Sequence, residues 1–140
     1  MGRSYSFECG RCGYTARVSG GPDRGVNLHV QTISCRDCHA LYDAVIRMRV
    51  PDEQWPRLLR GGLSFQLRPI GQGREPGPPT FAAALNRLQY RGAPRYRWVS
   101  FRLQCPVSAL HRVDPWNDPD KCPQCAGFME KTVLPFRLWE

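Results

Sequence analysis

Two short cysteine motifs decide how the first fifty residues fold: Cys9-Gly10-Arg11-Cys12 and Cys35-Arg36-Asp37-Cys38. Each motif carries two thiols three positions apart, a spacing with which one backbone turn presents two ligands to a single metal ion. The 22 residues between the motifs are enough for a hairpin that brings the two turns face to face. This stretch therefore predicts one four-thiolate site for zinc, made by Cys9, Cys12, Cys35 and Cys38.

A third motif near the other end of the chain suggests a second site. Its sequence is Cys122-Pro123-Gln124-Cys125. Upstream of it lie one more cysteine, Cys105, and a histidine six positions later, His111. Because that spacing is longer than a tight metal turn, the intervening loop must bulge or form a short helical turn. We predict that Cys105, His111, Cys122 and Cys125 bind the second of two zinc ions per chain, with Asp114, Asp118 and Asp120 as the nearest substitutes for the histidine.

The cysteine count argues against disulfides. Seven is an odd number, and no apolar signal core follows the start of the chain. No run approaches the roughly 18 apolar residues that a membrane span needs. We therefore expect a cytoplasmic protein that does not enter a membrane and keeps its thiols reduced.

The paired motifs resemble the zinc-ribbon class, in which two cysteine turns, called knuckles, clamp one metal ion. The first ribbon would run from Tyr5 to about Val50 and the second from Tyr96 to about Trp139. Gly13 and Gly127 suit the sharp backbone turns beside the thiolates. The resemblance implies a fold but no single function, since nucleic-acid binders, enzyme appendages and protein adaptors share it.

Two further resemblances concern other metals. The segment from Cys9 to Tyr14 is similar to the first knuckle of rubredoxins, whose cysteines hold a redox-active iron, and ligand type alone does not separate iron from zinc. Rubredoxins are acidic and have one site, whereas this chain has a net charge of +8. The segment from Cys35 to His39 matches the haem-attachment pattern C-x-x-C-H, but haem attachment needs an exported chain and would leave Cys9 and Cys12 without partners.

Hydrophobic patterning predicts a small, metal-stabilised, mainly β protein. Apolar and polar residues alternate on both sides of the first two motifs, which favours antiparallel strands. Thirteen glycines and thirteen prolines leave little room for long elements. We expect a first zinc ribbon over residues 1–50, a Pro/Gly/Arg-rich linker over 51–94 with one short helix near 80–91, and a second ribbon over 95–140.

The basic residues raise the possibility of nucleic-acid binding. Seven thiolates and two divalent ions would lower the formal charge only from +8 to about +5. The excess is greatest in the middle of the chain, where we name four candidate phosphate contacts: Arg87, Arg91, Arg95 and Arg97. On a strand, Arg95 and Arg97 would lie on one face and Tyr96 and Trp98 on the other, so phosphate contact and base stacking would not automatically coincide.

The leading hypothesis is a non-enzymatic zinc-binding module that binds nucleic acid or a macromolecular assembly. Catalytic motifs are lacking, and two closed zinc sites offer no open coordination position for an enzyme. The first alternative is a protein-interaction adaptor or accessory subunit that docks a partner through Phe81, Leu85 and Leu88. The second is a rubredoxin-like iron electron carrier.

Overall fold

A computed structural model describes residues 1–51, 78–87 and 96–139. Within these ranges the chain is mostly β, with one short helix. The strands are β1 (Gly2–Cys9), β2 (Thr15–Val18), β3 (Pro22–Arg24), β4 (Leu28–Cys35), β5 (Ala40–Pro51), β6 (Tyr96–Ser100), β7 (Val113–Pro115), β8 (Met129–Lys131) and β9 (Arg137–Trp139). The helix is α1 (Phe81–Arg87), and Thr80 caps it by accepting the backbone N–H of Ala83 on its hydroxyl.

The first sheet is built on β1. On one side β1 pairs antiparallel with β2, the strand that follows the first cysteine turn. On its other side β1 pairs with two short strands from the end of the chain: β9 opposite Gly2 to Ser4, and β8 opposite Phe7 to Cys9. The N-terminal and C-terminal segments therefore share this sheet.

The second sheet is built on β4 in the same way. On one side β4 pairs with β5, which follows the second cysteine turn, and β5 continues to β6. On its other side β4 pairs with β3 near its start and with β7 over Ile33 to Cys35. In both sheets, therefore, the strand that ends at the first cysteine of a C-x-x-C motif also pairs with a short strand from the last thirty residues.

Two groups of buried side chains form the core. The first joins the sheets near the cysteine turns and contains Phe7, Cys9, Val18, Leu41, Trp116, Cys122 and Met129. The second lies under the five-stranded sheet and contains Leu28, Val30, Val45, Met48, Val50, Ala84 and Trp139. Helix α1 covers this second group, with Phe81 edge-on to Trp139 at 5.2 Å between ring centroids.

Trp116 connects the two sheets. Its indole is buried and meets Phe7 of the first sheet edge-on, at 5.2 Å between ring centroids. Its backbone N–H donates to the carbonyl of Thr32 in the second sheet, and its Nε1 donates to the carbonyl of Lys121. One residue thus fixes the loop that approaches the third cysteine motif.

A buried carboxylate makes a second connection. Asp43 on β5 accepts hydrogen bonds from the backbone N–H and hydroxyl of Ser19 and from the hydroxyl of Thr32. Burial raises the pKa of Asp43, although these donors oppose the shift. Thr32 in turn accepts the backbone N–H groups of Gly20 and Gly21. The turn after β2 is therefore held against the second sheet.

The coarse fold prediction is confirmed: the described part of the chain is small and mainly β, with one short helix and two clusters of metal-ligand residues. The helix occupies residues 81–87 of the expected 80–91, and residues 88–91 lie outside the described part. The proposed division at 50/51 and 94/95 stays a prediction. Among the described residues, no helix has both the length and the apolar character for a membrane span.

Candidate metal centres

The first cluster, here called the four-cysteine site, consists of Cys9, Cys12, Cys122 and Cys125. Its four sulfur atoms lie within 4.8 Å of one another. The Sγ atoms of Cys9 and Cys125 are 3.4 Å apart, and those of Cys12 and Cys122 are 3.7 Å apart. Cys9 and Cys122 are buried in the first core group, whereas Cys12 is exposed.

The second cluster, here called the cysteine–histidine site, consists of Cys35, Cys38, Cys105 and His111. Nδ1 of His111 lies 3.7 Å from Sγ of Cys35 and 3.3 Å from Sγ of Cys38. Sγ of Cys38 lies 3.7 Å from Sγ of Cys105. The backbone N–H of His111 donates to the carbonyl of Ser108, so the loop after Cys105 turns back as its length requires.

These separations fit a tetrahedral ion. A metal with bonds of about 2.3 Å to sulfur, as in structural zinc sites, separates its tetrahedral sulfur ligands by about 3.8 Å. The measured distances of 3.4 to 3.7 Å are close to that value. Each cluster supplies four ligands from residue types that bind zinc or iron, so both sites could hold a metal ion.

The backbone of the three C-x-x-C turns follows one pattern. The residue directly after the second cysteine has a positive φ in each: 75° at Gly13, 50° at His39 and 57° at Ala126. This conformation suits glycine and is strained for the other two. It lets the N–H of Gly13 and of Ala126 return to the carbonyl of the first cysteine of its own turn, at 2.9 Å in both cases.

Backbone N–H groups also point at the sulfur atoms. The amides of Cys38, Val107 and Gly127 approach Sγ of Cys35, Cys105 and Cys125, each at 3.4 Å. A Cβ added at Gly127 would lie 3.1 Å from Sγ of Cys125 and 3.2 Å from Sγ of Cys9. Gly127 therefore allows the backbone to approach the thiolates closely. The left-handed backbone conformation is adopted by Ala126, the residue before it.

Within each C-x-x-C pair of the first two motifs, the pKa of the first thiol is lowered and that of the second is raised. A hydrogen bond from the backbone of Cys12 lowers the pKa of Cys9 to about 6. The backbone N–H of Tyr14 lowers the pKa of Cys12, but partial desolvation of this exposed side chain and the neighbouring sulfur atoms outweigh it and raise that pKa to about 12. Burial and the thiol of Cys35 raise the pKa of Cys38 to about 11. Thiolates this close repel one another, so a divalent cation would allow all of them to ionise.

The pairing of the motifs differs from the sequence prediction. Cys9 and Cys12 were expected to share a metal with Cys35 and Cys38, and this is wrong: each N-terminal motif joins ligands from the last forty residues. The two clusters are made of the same eight residues that the sequence analysis named as candidate ligands, but their order is nested. Strand pairing is the reason, because Cys9 lies opposite Met129, four residues after Cys125, while Cys35 lies opposite Val113, two residues after His111.

The acidic substitutes for His111 are engaged elsewhere. Asp114 forms an exposed ion pair with Nε of Arg36 at 2.5 Å, and this contact lowers the pKa of Asp114. Asp118 pairs with Lys131 at 3.1 Å, and Asp120 accepts the backbone N–H of Lys121. Neither cluster includes any of these three carboxylates.

The structure describes the side chain of only one of the four arginines named for nucleic-acid contact. Arg97 lies on β6 opposite the buried Val50, on the same face of the sheet as that residue. Its side chain is nevertheless exposed. Arg87 is the last residue of α1, and its side chain lies outside the description. Arg91 and Arg95 lie outside the described residues, so the four remain candidates.

The helix face named as a docking surface is used inside the protein. Phe81 and Leu85 pack against the second core group, beside Ala84 and Trp139. Leu88 lies outside the described residues. Two of the three residues proposed to bind a partner are therefore at least partly covered by the chain itself.

Sequence reasoning missed a basic and aromatic surface on the second sheet. Arg47 lies over the ring of Trp98 at 5.0 Å, and Arg49 lies over the ring of Tyr96 at 4.4 Å. The alternation of arginine with Met48 and Val50 in β5 was a usable signal, because it places both guanidinium groups on one face. The pairing of β5 with β6, which brings the aromatics to the same face, was not readable from the sequence.

Comparisons with protein-family models, with curated proteins and with solved structures found no match to this chain.

Proposed function

We propose that this chain is a non-enzymatic module in which two structural zinc ions each tie together the strands of one sheet, and that the module binds nucleic acid. The nested ligand sets carry the first half of this proposal. Both sites draw their ligands from distant parts of the chain and bury two of the four in each. Four protein ligands complete the coordination of a structural zinc ion and leave no position for substrate.

Zinc has enough binding energy for this role. Structural zinc sites in small domains contribute about 10–16 kcal/mol near neutral pH. The net folding stability of a typical domain is only about 5–15 kcal/mol. β7, β8 and β9 have three residues each and bury little surface, so the metal would supply a large part of the free energy that holds these strands in place.

The proposed partner follows from charge and from the arrangement of arginine beside aromatic rings. The chain keeps a positive formal charge of about +5 after the metal-bound thiolates are counted. Guanidinium groups bind phosphate oxygens, and aromatic rings stack on bases. Arg47 with Trp98 and Arg49 with Tyr96 combine both kinds of group on one surface.

Metal content is the first test. Native mass spectrometry of protein purified without added metal should find two zinc ions per chain, and removal of both by a chelator should abolish the folded circular-dichroism spectrum. One ion in a fully folded chain would contradict the two-site proposal.

An iron electron carrier is the second candidate, favoured by the all-sulfur ligands of the four-cysteine site. A red protein with a reversible one-electron reduction would support it. A colourless protein with stoichiometric zinc would exclude it.

Nucleic-acid binding is tested by fluorescence anisotropy with labelled single-stranded and double-stranded DNA and RNA. Because phosphate contacts release counterions, we expect affinity to fall steeply with salt. Absence of binding at ~50 mM salt, where phosphate attraction is strong, would overturn the nucleic-acid part of the proposal and leave the protein adaptor in its place.

A further inference from the structure

Six side chains from four strands of the second sheet lie on its outer face, here called the outer platform: Arg24, His29, Arg47, Arg49, Tyr96 and Trp98. Strand register places them together. Arg24 lies opposite His29, and His29 lies opposite Arg47. Arg49 lies opposite Trp98, and Tyr96 is two positions along the same strand. Directly opposed residues share a face, so the side chains of all six extend in one direction.

The opposite face of the same strands is the protein core. Leu28 and Val30 flank His29 on β4 and are fully buried, and Met48 and Val50 flank Arg49 on β5 and are buried as well. The alternation along both strands therefore turns the basic side chains away from the core. The outer platform is the face of this sheet opposite the core, and Arg24, Arg47 and Trp98 are exposed on it.

Ring contacts organise the outer platform. The imidazole of His29 lies against the indole of Trp98, with 4.8 Å between centroids and 43° between planes. The guanidinium groups of Arg47 and Arg49 lie over Trp98 and Tyr96. Trp98 nevertheless keeps 37% of its surface exposed. The exposed part of this indole offers an aromatic surface to a flat ligand.

The field over the outer platform is positive. Three of its six residues are arginines, and none is acidic. Burial, together with the charges of Arg24 and Arg47, lowers the pKa of His29, which reflects the same local excess of positive charge. An anionic ligand would meet at least two guanidinium groups within reach of the aromatic rings.

We propose that the outer platform binds single-stranded nucleic acid, with Trp98 stacking on a base and Arg47 and Arg49 contacting the adjacent phosphates. This inference rests on the proposed function and assigns it a site. A single strand fits better than a duplex because its bases are free to leave their own stack. The three strands β4, β5 and β6 span about 10 Å, so the face accommodates a few nucleotides.

The outer platform also resolves a conflict in the sequence. Along β6, arginine and aromatic residues alternate, so Arg97 lies on the face away from Trp98. The neighbouring strand β5 supplies guanidinium groups on the face that carries Trp98, whereas the arginine of β6 lies on the other face. Phosphate contact and base stacking therefore coincide on one surface, through Arg47 and Arg49 from β5.

The test measures anisotropy of a labelled 12-nucleotide single-stranded RNA and a matching duplex at ~50 mM salt, where phosphate contacts are strong. We expect Arg47→Glu/Arg49→Glu to weaken single-strand binding at least about tenfold and to reduce the log–log salt slope by about 1.4, since each lost phosphate contact removes about 0.7 for a single strand. We expect Trp98→Ala to weaken binding by about tenfold through lost stacking.

Matched controls come from the other sheet. Arg17 lies over the ring of Phe136 at 4.2 Å, the same kind of contact as Arg47 with Trp98, and Arg137 is exposed on β9. Arg17→Glu/Arg137→Glu makes the same change in net charge, and Phe136→Ala removes a ring that is 50% exposed. Both controls should bind much more like the parent protein than the variants of the outer platform do.

The outcomes separate the site from the function. If the parent protein binds no nucleic acid, the proposed function itself fails. If it binds, but the variants of the outer platform bind as well as the controls, the site is overturned, and Arg87, Arg91, Arg95 and Arg97 become the next arginines to change. Equal affinity for duplex and single strand would overturn the stacking role of Trp98. Each variant is first checked for two metal ions, and Trp98→Leu replaces Trp98→Ala if the latter does not fold.

Discussion

The four-cysteine site and the cysteine–histidine site have the same plan but different surroundings. In each, a strand ends in a C-x-x-C turn, and a later ligand pair is followed by a short strand that pairs with the first. The four-cysteine site has Cys9 and Cys122 inside a hydrophobic core group. The cysteine–histidine site is bordered by exposed polar contacts, such as Arg36 with Asp114. Cys35 and Cys105 are buried as well, but they belong to neither core group, so the same local motif is packed into a hydrophobic cluster in one site only.

Loop length contributes little to this difference. The link from Cys12 to Cys122 spans 110 residues, and the link from Cys38 to Cys105 spans 67. Closure entropy grows only with the logarithm of length, so the longer loop costs about 0.4 kcal/mol more. Packing around the ligands must therefore decide which site matters more for stability, and we expect the four-cysteine site to matter more.

The nested order of the sites gives the largest expected effect. Cys12→Ser/Cys122→Ser alters a single site and should keep one zinc ion, whereas Cys12→Ser/Cys38→Ser alters both sites and should keep none. Native mass spectrometry measures the stoichiometry. Cobalt titration provides a second readout, because the site left intact in the first variant has three sulfur ligands and one nitrogen.

The reverse result would contradict the nested order. If Cys12→Ser/Cys38→Ser kept one tightly bound ion and Cys12→Ser/Cys122→Ser kept none, each N-terminal motif would share its metal with the other. The single variants Cys12→Ser and Cys38→Ser each alter one site. We expect the first to lower the midpoint of thermal unfolding more, because its site belongs to the core group.

Trp116 links the surroundings of the two sites. We expect Trp116→Ala to lower the free energy of unfolding by about 3–5 kcal/mol, the usual cost of removing a buried aromatic ring. Urea unfolding in the presence of excess zinc measures the change. Phe136→Ala removes a half-exposed ring and is the control. An equal loss in both variants would show that Trp116 has no special place between the sheets.

Asp43 tests the second connection between the sheets. Asp43→Asn keeps the shape of the side chain but turns an amide NH₂ toward the donors of Ser19 and Thr32. We expect a loss of about 1–3 kcal/mol of unfolding free energy, the range for a buried polar group left unsatisfied, with two zinc ions retained. Asp114→Asn breaks an exposed ion pair and should change stability little. Loss of a metal ion from the Asp43 variant would instead show that this carboxylate helps to support a metal site.

The smallest effect concerns the residues after the knuckles. His39→Gly and Ala126→Gly, one in each site, should each raise stability by up to about 1 kcal/mol, because glycine adopts a positive φ without strain. Gly13→Ala should act in the opposite direction. Thermal unfolding with zinc present measures all three. A loss of stability on both glycine substitutions would show that the side chains contribute more than the strain costs.

Several elements were readable from the sequence because their signals are local. Alternation of apolar and polar residues predicted the strands around the first two motifs, and the structure has β1, β2, β4 and β5 there. The helix signal from Thr80 onward was also local, since a cap and a short apolar stripe suffice. The docking role proposed for Phe81, Leu85 and Leu88 stays a prediction. Phe81 and Leu85 pack partly against the second core group, and an apolar stripe does not reveal whether it is covered by a partner or by the same chain.

The eight residues of the two clusters could be named from the sequence, because thiol and imidazole chemistry at C-x-x-C spacing depends on neighbours along the chain. Which of them share a cluster depends on the tertiary structure. Any two knuckles can complete a tetrahedron, and the choice depends on strand pairing between residues more than 60 positions apart. The same long-range pairing put Arg47 and Arg49 beside Trp98, since the face of one strand says nothing about which strand will lie next to it.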